Sequence, residues 1–194
     1  MTSIRSRIKK AAVLSSAIAL AGFTSQSQAV EAGLQFHKGE ESGSVGYHFS
    51  VADRFSRKSP YGWQVSYNHL SELGITWNET ELFFDSNTIE VMGTYSYEPR
   101  SYNKFLKRLV FEFQGGASIQ LTENKFIWED LELERTFSEK GDISGVLAFI
   151  THYKITNKAK FHVGAKFYPK FSEFDSVGTV FAGFTYQFGR RNGY

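Results

Sequence analysis

The sequence lacks cysteine entirely and contains only three prolines in 194 residues. The absence of cysteine excludes disulfides, a thiolate nucleophile and thiolate metal ligands. Proline cannot donate a hydrogen bond to the ladder between strands, so its scarcity leaves long strands possible. After residue 29, no apolar run approaches the roughly 18 residues of a transmembrane helix. A chain that crosses a membrane beyond that point must therefore do so with strands.

The first 29 residues have the three-part order of a secretory signal peptide. Basic residues lie between positions 5 and 10, the apolar stretch Ala11–Phe23 follows, and the small residues Ser27 and Ala29 precede a predicted cut before Val30. The apolar stretch is short for a membrane span, which favours a cleaved signal over an uncleaved N-terminal anchor, the alternative. We therefore expect residues 1–29 to be removed and the protein to be exported.

Cleavage would change the sign of the net charge. The whole chain has 22 basic and 20 acidic side chains, a formal charge of +2. The signal contains four basic and no acidic residues, so the remainder has 22 − 4 = 18 basic against 20 acidic side chains, or −2. A slightly acidic chain of this kind gives no indication of nucleic acid as a partner.

Aromatic residues and glycine are abundant. The chain has 19 phenylalanines, 10 tyrosines and 17 glycines, although only 41% of its residues are hydrophobic. In an exported chain this combination is typical of a barrel in which one face of each strand contacts lipid and the other lines a polar lumen.

The strongest pattern is an alternation with a period of two residues between Leu109 and Leu121. Odd positions in this stretch are apolar or small, and even positions include Glu112, Gln114 and Gln120. Such a strand can place one face in hydrocarbon and the other in a wet interior. The pattern recurs in seven further segments: 30–37, 44–50, 63–68, 89–98, 146–154, 160–167 and 179–188.

Eight such segments predict an all-β fold, an eight-stranded antiparallel transmembrane up-and-down β-barrel over residues 30–188. A soluble antiparallel sandwich would also alternate and is the alternative. With the N-terminus in the periplasm, the extracellular connections would be 38–43, 73–86, 122–141 and 169–176. The periplasmic connections would be 52–61, 98–107 and 155–159.

The last predicted strand ends Gly183-Phe184-Thr185-Tyr186-Gln187-Phe188 and is followed by the short basic tail 189–194. A glycine followed by aromatic residues two apart, the last being phenylalanine, resembles the signal by which the assembly machinery recognises outer-membrane barrels. Gly183, Tyr186 and Phe188 are the predicted signal residues.

With its eight alternating segments and this ending, the chain resembles the superfamily of small outer-membrane barrels that includes the OmpA transmembrane domain, OmpX and OmpW. The resemblance implies a location in the cell outer membrane. It also implies two kinds of partner: outer-membrane lipid with lipopolysaccharide, and the barrel-assembly machinery during biogenesis.

Some barrels of this superfamily modify lipid A. The deacylases among them resemble one another in a His-x-Ser-Asn motif, with a histidine base and a serine nucleophile. The nearest stretch here is Thr151-His152-Tyr153-Lys154, with lysine where the serine should be. We therefore predict no enzymatic activity, no catalytic residue and no cofactor.

Four of the five histidines fall on the predicted inner face: His37, His48, His152 and His162. Two or three of them at the same height could bind a metal ion. Filling of a polar lumen is the more common use of such residues, so we predict no metal site.

Charged residues also fall on the predicted inner face. An eight-stranded barrel is only wide enough for its own side chains, and an unpaired buried charge costs several kcal/mol, so these groups should pair. We predict a Glu–Lys network that plugs the lumen, with an ion path opened by rearrangement of the pairs as the alternative. Its members are Glu31, Glu90, Glu112, Lys154, Lys160 and Lys166, and the neutral groups beside them are Gln64, Gln114, Gln120 and Asn68.

Aromatic residues in the predicted outer loops are possible contact residues, namely Trp77, Phe126 and Trp128. The favoured function is a structural or surface-binding, adhesive role through the extracellular loops. The alternatives are a narrow channel or a carrier of small hydrophobic molecules, and a lipid A-modifying enzyme. The sequence does not specify an extracellular ligand.

Overall fold

The structure, a computed structural model, describes residues 29–39, 44–56, 58–77, 80–128, 133–169 and 176–189, with only the backbone at 29, 73–77, 80–82, 126–128, 133–135 and 137. The predicted signal peptide up to residue 28 and the tail after Gly189 lie outside the described residues. The described part contains ten strands: β1 (Ala29–Gly39), β2 (Val45–Arg54), β3 (Tyr61–Trp77), β4 (Thr80–Tyr97), β5 (Leu109–Gln120), β6 (Asn124–Trp128), β7 (Leu133–Ser138), β8 (Ile143–Lys154), β9 (Ala159–Tyr168) and β10 (Val177–Gly189).

Eight of these strands close into a barrel in the order β1-β10-β9-β8-β5-β4-β3-β2. Every pair is antiparallel, and β1 closes the ring against β10 from Ala29↔Gly189 to Gly39↔Thr179. A closed ring leaves no unpaired edge in its sheet. The predicted eight-stranded antiparallel barrel is therefore confirmed, and the sandwich alternative is wrong.

The two ends of the barrel differ. The end at which β1 begins and β10 ends, marked by Ala29 and Gly189, is called the terminal rim below. The opposite end, marked by Gly39 and Val177, is called the loop rim. Helical structure in the described residues is limited to one 3-10 turn, Leu106–Arg108, and no helix there is long and apolar enough to cross a membrane.

Side chains alternate between the two faces of the wall, as the period of two predicts. Outward apolar side chains are largely exposed, for example Phe36 at 63% and Phe113 at 53%. Inward side chains are buried, but they are less uniformly polar than the alternation predicts, because Met92, Ile150 and Phe181 also point into the lumen. A narrow interior without room for bulk water can bury apolar groups between polar ones.

Strands β3 and β4 continue beyond the barrel wall. Pairing of β2 with β3 ends at Val45↔Ser71, yet β3 and β4 stay paired to Trp77↔Thr80. A β-bulge marks the departure, and its residue Glu72 has a positive φ of 54°. The prediction of a loop at 73–86 is therefore wrong for most of that range. A two-stranded ribbon satisfies its own backbone hydrogen bonds above the wall and does not need the alternation that the lumen imposes.

The connection between β5 and β8 also contains strands. Within the predicted loop 122–141, β6 and β7 form a separate two-stranded sheet, with Lys125↔Thr136 and Trp128↔Leu133 among its pairs. The ribbon β3–β4 and the hairpin β6–β7 both extend from the loop rim, and they are the largest features outside the barrel wall in the described chain.

Candidate functional site

A buried carboxylate, Glu90 on the inner face of β4, is the centre of a polar cluster in the lumen. Lys166 Nζ on β9 lies 2.7 Å from Glu90 Oε2, and Tyr168 donates a hydrogen bond of 2.5 Å to Oε1. Ser66 on β3 donates to Oε2 at 3.1 Å, and His48 Nε2 on β2 lies 3.4 Å from the same oxygen. These five residues are called the Glu90 cluster.

The Glu90 cluster crosses the lumen. Strands β4 and β9 are separated in the ring by β5 and β8, so the pair Glu90–Lys166 joins walls that are not neighbours. Both side chains are almost fully buried, and so is Tyr168, whose hydroxyl also accepts from Asn68 Nδ2 at 3.1 Å. A buried ion pair of this kind is tolerated only when further hydrogen bonds satisfy the remaining lone pairs, as they do here.

A second polar cluster surrounds Glu112, nearer the terminal rim. Gln114 Nε2 donates to Glu112 Oε1 at 2.6 Å, and Ser96 Oγ donates to Oε2 at 3.1 Å. His152 Nε2 lies 3.5 Å from the same Oε2. Gln114 also bonds to Gln64 across the lumen at 3.0 Å. Along β4, Ser96 lies about 20 Å from Glu90, since it follows Glu90 by six residues.

Lys160 forms the second internal lysine–glutamate ion pair. Its ammonium donates to both carboxylate oxygens of Glu31, at 2.8 and 2.7 Å. The two residues lie on β9 and β1, with β10 between them in the ring. This pair therefore also links strands that are not adjacent.

Three further charged residues meet at the mouth of the terminal rim. Glu98, just after β4, accepts from Arg54 Nη2 at 3.0 Å and from Lys154 Nζ at 2.7 Å. Arg54 ends β2 and Lys154 ends β8, and these strands are four places apart in a ring of eight. Glu98 thus links opposite sides of the mouth, an arrangement called the Glu98 bridge below.

Histidines fill much of the remaining lumen. His37 Nδ1 lies 3.2 Å from Thr179 Oγ1, and the ring stacks on Phe181 at 4.8 Å between centroids. The rings of His152 and His162 are 5.2 Å apart. Within the described residues, no group of three or more His, Asp or Glu side chains is arranged to hold a metal ion. The fifth histidine, His69, faces outward and contacts Asn87 at 2.8 Å.

The structure brings together only some of the residues of the predicted charge network. The structure brings Glu31 to Lys160 and Glu90 to Lys166. Glu112 instead meets neutral donors and His152, and Lys154 lies at the rim with Glu98. Sequence reasoning missed Tyr168, Arg54 and Glu98 as members. The alternation could have identified Tyr168, because the residue lies two places after Lys166 and so on the same face of β9.

The other predicted site residues lie on the wall and at the loop rim. Gly183 faces inward, where a Cβ would overlap the carbonyl oxygen of Leu34, whereas Tyr186 and Phe188 face outward and are 45% and 55% exposed. Trp77 ends β3, and Phe126 and Trp128 lie on β6. The side chains of these last three lie outside the described part.

No protein-family model matches the chain, and no curated protein matches it. Solved structures do. The outer membrane protein Ail of Yersinia pestis, in a phospholipid bilayer nanodisc, has a TM-score of 0.52 at 10% identity, over 84% of this chain and 100% of that chain. Neisserial surface protein A has a TM-score of 0.50 at 14% identity, over 82% of this chain and 96% of that chain. At such identities the similarity shows the fold.

The fold and the surface together place the chain in a membrane. In a bilayer every backbone polar group must be satisfied internally, and a closed barrel achieves this with strands. The outward face is an apolar surface rich in exposed aromatic side chains, as lipid contact requires, while the charged groups of the lumen are turned inward. The chain is an eight-stranded transmembrane β-barrel, with the architecture of the small outer-membrane barrels that it matches.

Proposed function

We propose that the protein is a closed, non-conducting barrel that anchors a surface-binding, adhesive unit above the outer membrane. The observation that carries this proposal is a contrast between the interior and the loop rim. The lumen is crossed by the buried pair Glu90–Lys166, whereas at the loop rim β3 and β4 continue past the wall as a ribbon and the connection between β5 and β8 contains the hairpin β6–β7.

The orientation follows from the connections. At the terminal rim β8 and β9 are joined by the four residues 155–158, β2 and β3 by the six residues 55–60, and β4 and β5 by the eleven residues 98–108. The longest connection, the 22 residues 121–142 between β5 and β8, lies at the loop rim. The ribbon and the hairpin lie at the loop rim. Barrels of this kind have short periplasmic turns and longer extracellular loops, so the loop rim faces outward from the cell in the proposed function. Trp77, Phe126 and Trp128 remain predicted contact residues there.

Adhesion by bacteria that display the protein tests the proposal. One variant replaces residues 125–137 with a short Gly-Ser turn, and a second replaces residues 73–84 in the same way. The matched control replaces 155–158, at the opposite rim, with Asn-Gly. We expect the first two variants to adhere less than wild type to wells coated with fibronectin, laminin or heparin, and the control to adhere normally. Equal adhesion by all four strains would overturn the proposal.

A narrow channel is the second candidate, favoured by a polar cavity in the half of the lumen nearer the terminal rim. Planar-bilayer recordings separate the two candidates. A closed barrel is silent, and steady single-channel openings would support the channel. If the protein is instead a carrier, a hydrophobic molecule would have to pass the Glu90 cluster to cross the lumen.

The proposed function is not enzymatic. The lumen histidines contact Thr179, Thr185, Glu90 and Glu112 inside the wall, away from the lipid that a lipid A-modifying enzyme must reach. Overexpression should therefore leave the mass spectrum of lipid A unchanged. A new lipid A species that disappears in the variant His152→Gln would contradict this part of the proposal.

Outer-membrane lipid, lipopolysaccharide and the barrel-assembly machinery are the proposed partners of the wall. The outward aromatic row Phe184, Tyr186 and Phe188 on β10 supports this, because all three side chains are exposed on the lipid-facing side of the last strand. Gly183 belongs to the opposite face, so its part in the signal would be to permit close approach of β1.

A further inference from the structure

The connections at the two rims of the barrel have opposite net charge. The three connections at the terminal rim contain seven basic residues and one acidic residue, a net charge of +6. The four connections at the loop rim contain four basic and twelve acidic residues, a net charge of −8. The terminal rim therefore attracts anionic partners, whereas the loop rim repels them.

Most of the positive charge at the terminal rim lies in residues 98–108, which join β4 to β5 and are called the basic connection below. Its only acidic residue, Glu98, is bonded to Arg54 and Lys154 in the Glu98 bridge. Its four basic side chains are exposed, and none forms an ion pair with a carboxylate of the described chain. They are Arg100, Lys104, Lys107 and Arg108. Their charges are therefore available to an anionic partner.

The basic connection also has exposed aromatic side chains. Tyr102 is fully exposed, and Phe105 is 58% exposed. The ring of Phe105 lies 5.7 Å from that of Tyr153, between centroids, and Arg108 Nη1 donates to the Tyr153 hydroxyl at 3.5 Å. Because Tyr153 is on the outward face of β8, these contacts hold the connection beside the lipid-facing side of the wall. Exposed cations next to exposed aromatic rings are typical of segments at a membrane surface.

An apolar groove lies on the lipid-facing side of the two strands that the basic connection joins. Gly93 of β4 and Gly115 of β5 are paired and line its centre. Four aromatic side chains surround the glycines: Phe55, Tyr61, Tyr95 and Phe113. The groove has a volume of about 430 Å³. Its apolar lining and its place in the outer wall suit a hydrocarbon chain.

Neither glycine of the groove is required by the wall itself. Both have a negative φ, and a Cβ at Gly93 would meet only the carbonyl oxygen of Gly115, at 3.8 Å. A Cβ at Gly115 would meet Leu147 Cδ2 at 3.4 Å, an ordinary contact. Glycine weakens a strand and often marks a place where a ligand approaches the backbone closely. The paired glycines therefore point to an occupant outside the wall.

The groove and the basic connection are separated by the depth of one lipid leaflet. Gly93 precedes Tyr97, the last residue of β4, by four residues, which is about 13 Å along the strand. One leaflet takes up half of a hydrocarbon core that is about 30 Å thick, or roughly 15 Å. A lipid with its head group at the basic connection would therefore place an acyl chain in the groove.

We propose that the groove and the basic connection together form a binding site for one anionic glycerophospholipid. The phosphate group pairs with Lys104, Lys107 and their basic neighbours, and an acyl chain lies over Gly93 and Gly115 between the aromatic rings. The inference rests on the orientation in the proposed function, which puts the terminal rim in the periplasmic leaflet, where the lipids are glycerophospholipids.

Native mass spectrometry of the protein released from detergent micelles tests the site, because retained lipids are counted by mass. The probes are dioleoyl phosphatidylglycerol, dioleoyl phosphatidylethanolamine and lipid A, each added alone at equal concentration. We expect a larger fraction of wild-type molecules to retain phosphatidylglycerol than phosphatidylethanolamine, since the two differ only in head group. Equal retention of the two would overturn the anionic site. Retention of lipid A in preference to phosphatidylglycerol would overturn the assignment to a glycerophospholipid.

A charge variant tests the part of the basic connection. A lysine near an anionic lipid surface contributes roughly a fivefold gain in affinity, so Lys104→Gln with Lys107→Gln should reduce the preference for phosphatidylglycerol on the order of tenfold. The matched control is Lys125→Gln with Lys140→Gln, two exposed lysines in the connection 121–142 at the loop rim. Equal preference in the two double variants would overturn the head-group site.

A filled groove tests the acyl-chain site. Gly93→Val should lower the retention of both glycerophospholipids, because its side chain occupies the groove without meeting the wall. Gly145→Val is the matched control, since Gly145 is exposed on the outward face of β8 away from the groove. Heat-modifiable migration checks that each variant folds, and Gly115→Val replaces Gly93→Val if the latter does not. Undiminished retention in the folded groove variant would overturn the site. A wild type that adheres normally yet retains no phosphatidylglycerol would contradict this inference alone and leave the adhesive role intact.

Discussion

Lys166 Nζ lies 2.7 Å from Glu90 Oε2, and this contact joins β9 to β4 across the lumen. The two residues are 76 positions apart in the chain. Both are buried, so neither charge has water as an alternative partner. The pair therefore fixes the distance between two walls of the barrel and contributes to the closure of the interior.

Removal of one partner should be costly. Lys166→Met leaves the carboxylate of Glu90 buried without its counter-charge, and we expect a loss of about 3–5 kcal/mol in the free energy of unfolding. The double variant Glu90→Gln with Lys166→Met should recover most of the loss, because no buried charge then remains. Urea unfolding followed by tryptophan fluorescence measures both. The exposed Lys140→Met is the control, and a Lys166→Met variant as stable as that control would contradict the buried pair.

The hydroxyl of Tyr168 should also contribute. Tyr168→Phe removes a hydrogen bond to a buried carboxylate and leaves Asn68 Nδ2 without its acceptor. Bonds to charged groups contribute roughly 1.5–3 kcal/mol, so a decrease of that order is expected. Tyr95→Phe, on the lipid-facing side, is the matched control and should change stability little. Equal stability of the two variants would show that the Tyr168 hydroxyl is not needed.

The Glu98 bridge should give the barrel an acid-sensitive component of stability. Burial raises the pKa of Glu98, but hydrogen bonds and positive charges from Lys154 and Arg54 outweigh this, so the pKa lies below its ordinary value of 4.5. A carboxyl with a depressed pKa in the folded state stabilises that state above its unfolded pKa and loses this contribution as the pH falls through the folded pKa. The wild type should therefore be more stable than Glu98→Gln at pH 7, and the difference should shrink below about pH 4.5. A difference that stays constant from pH 7 to pH 3 would exclude the bridge as its source.

Glycine at the seam between β1 and β10 should be irreplaceable. A Cβ at Gly183 would overlap the Leu34 carbonyl and lie 2.9 Å from His162 Nε2, so Gly183→Ala must displace backbone. A Cβ at Gly145 would meet nothing within 4 Å, which makes Gly145→Ala the matched control. We expect Gly183→Ala to lower the yield of folded barrel, read as the fraction with heat-modifiable migration on a gel. A normal yield would contradict this, because it would mean that β1 and β10 can move apart at Gly183 without measurable loss of folded barrel.

Substitution of the outward aromatic residue Phe188 should impair assembly in cells without lowering the stability of the folded barrel. Its side chain is 55% exposed on the lipid face and lies in no buried cluster of the lumen. Phe188→Ala should refold in detergent nearly as well as wild type, but should reach the outer membrane of living cells in smaller amounts. Ala substitution of Phe36, 63% exposed on β1, controls for the loss of lipid-facing area. Equal amounts of both variants in the membrane would remove Phe188 from the assembly signal.

The sequence predicted the wall of the barrel well, because lipid outside and polar groups inside impose an alternation that can be read from residue types. It did not predict the ribbon above the wall, where Leu73–Trp77 and Thr80–Phe84 pair with each other and neither face must match a lumen. For the candidate site, the alternation predicted which face of the wall each charged residue lies on, but not its position along the barrel axis. Strand register decides that Lys154 meets Glu98 at the rim while Lys160 reaches Glu31.

The ladder between β1 and β10 has a consequence for the order of folding. Until it forms, the lumen is open to water, and Glu31 and Lys160 cannot be held together on either side of β10. A slip of two residues in this ladder would keep every side chain on its proper face, so the apolar exterior alone could not reject it. It would, however, separate Glu31 from Lys160 and bury both charges unpaired. The Glu31–Lys160 pair thus favours the correct register at closure, because it distinguishes the correct ring from rings that have the same outer surface.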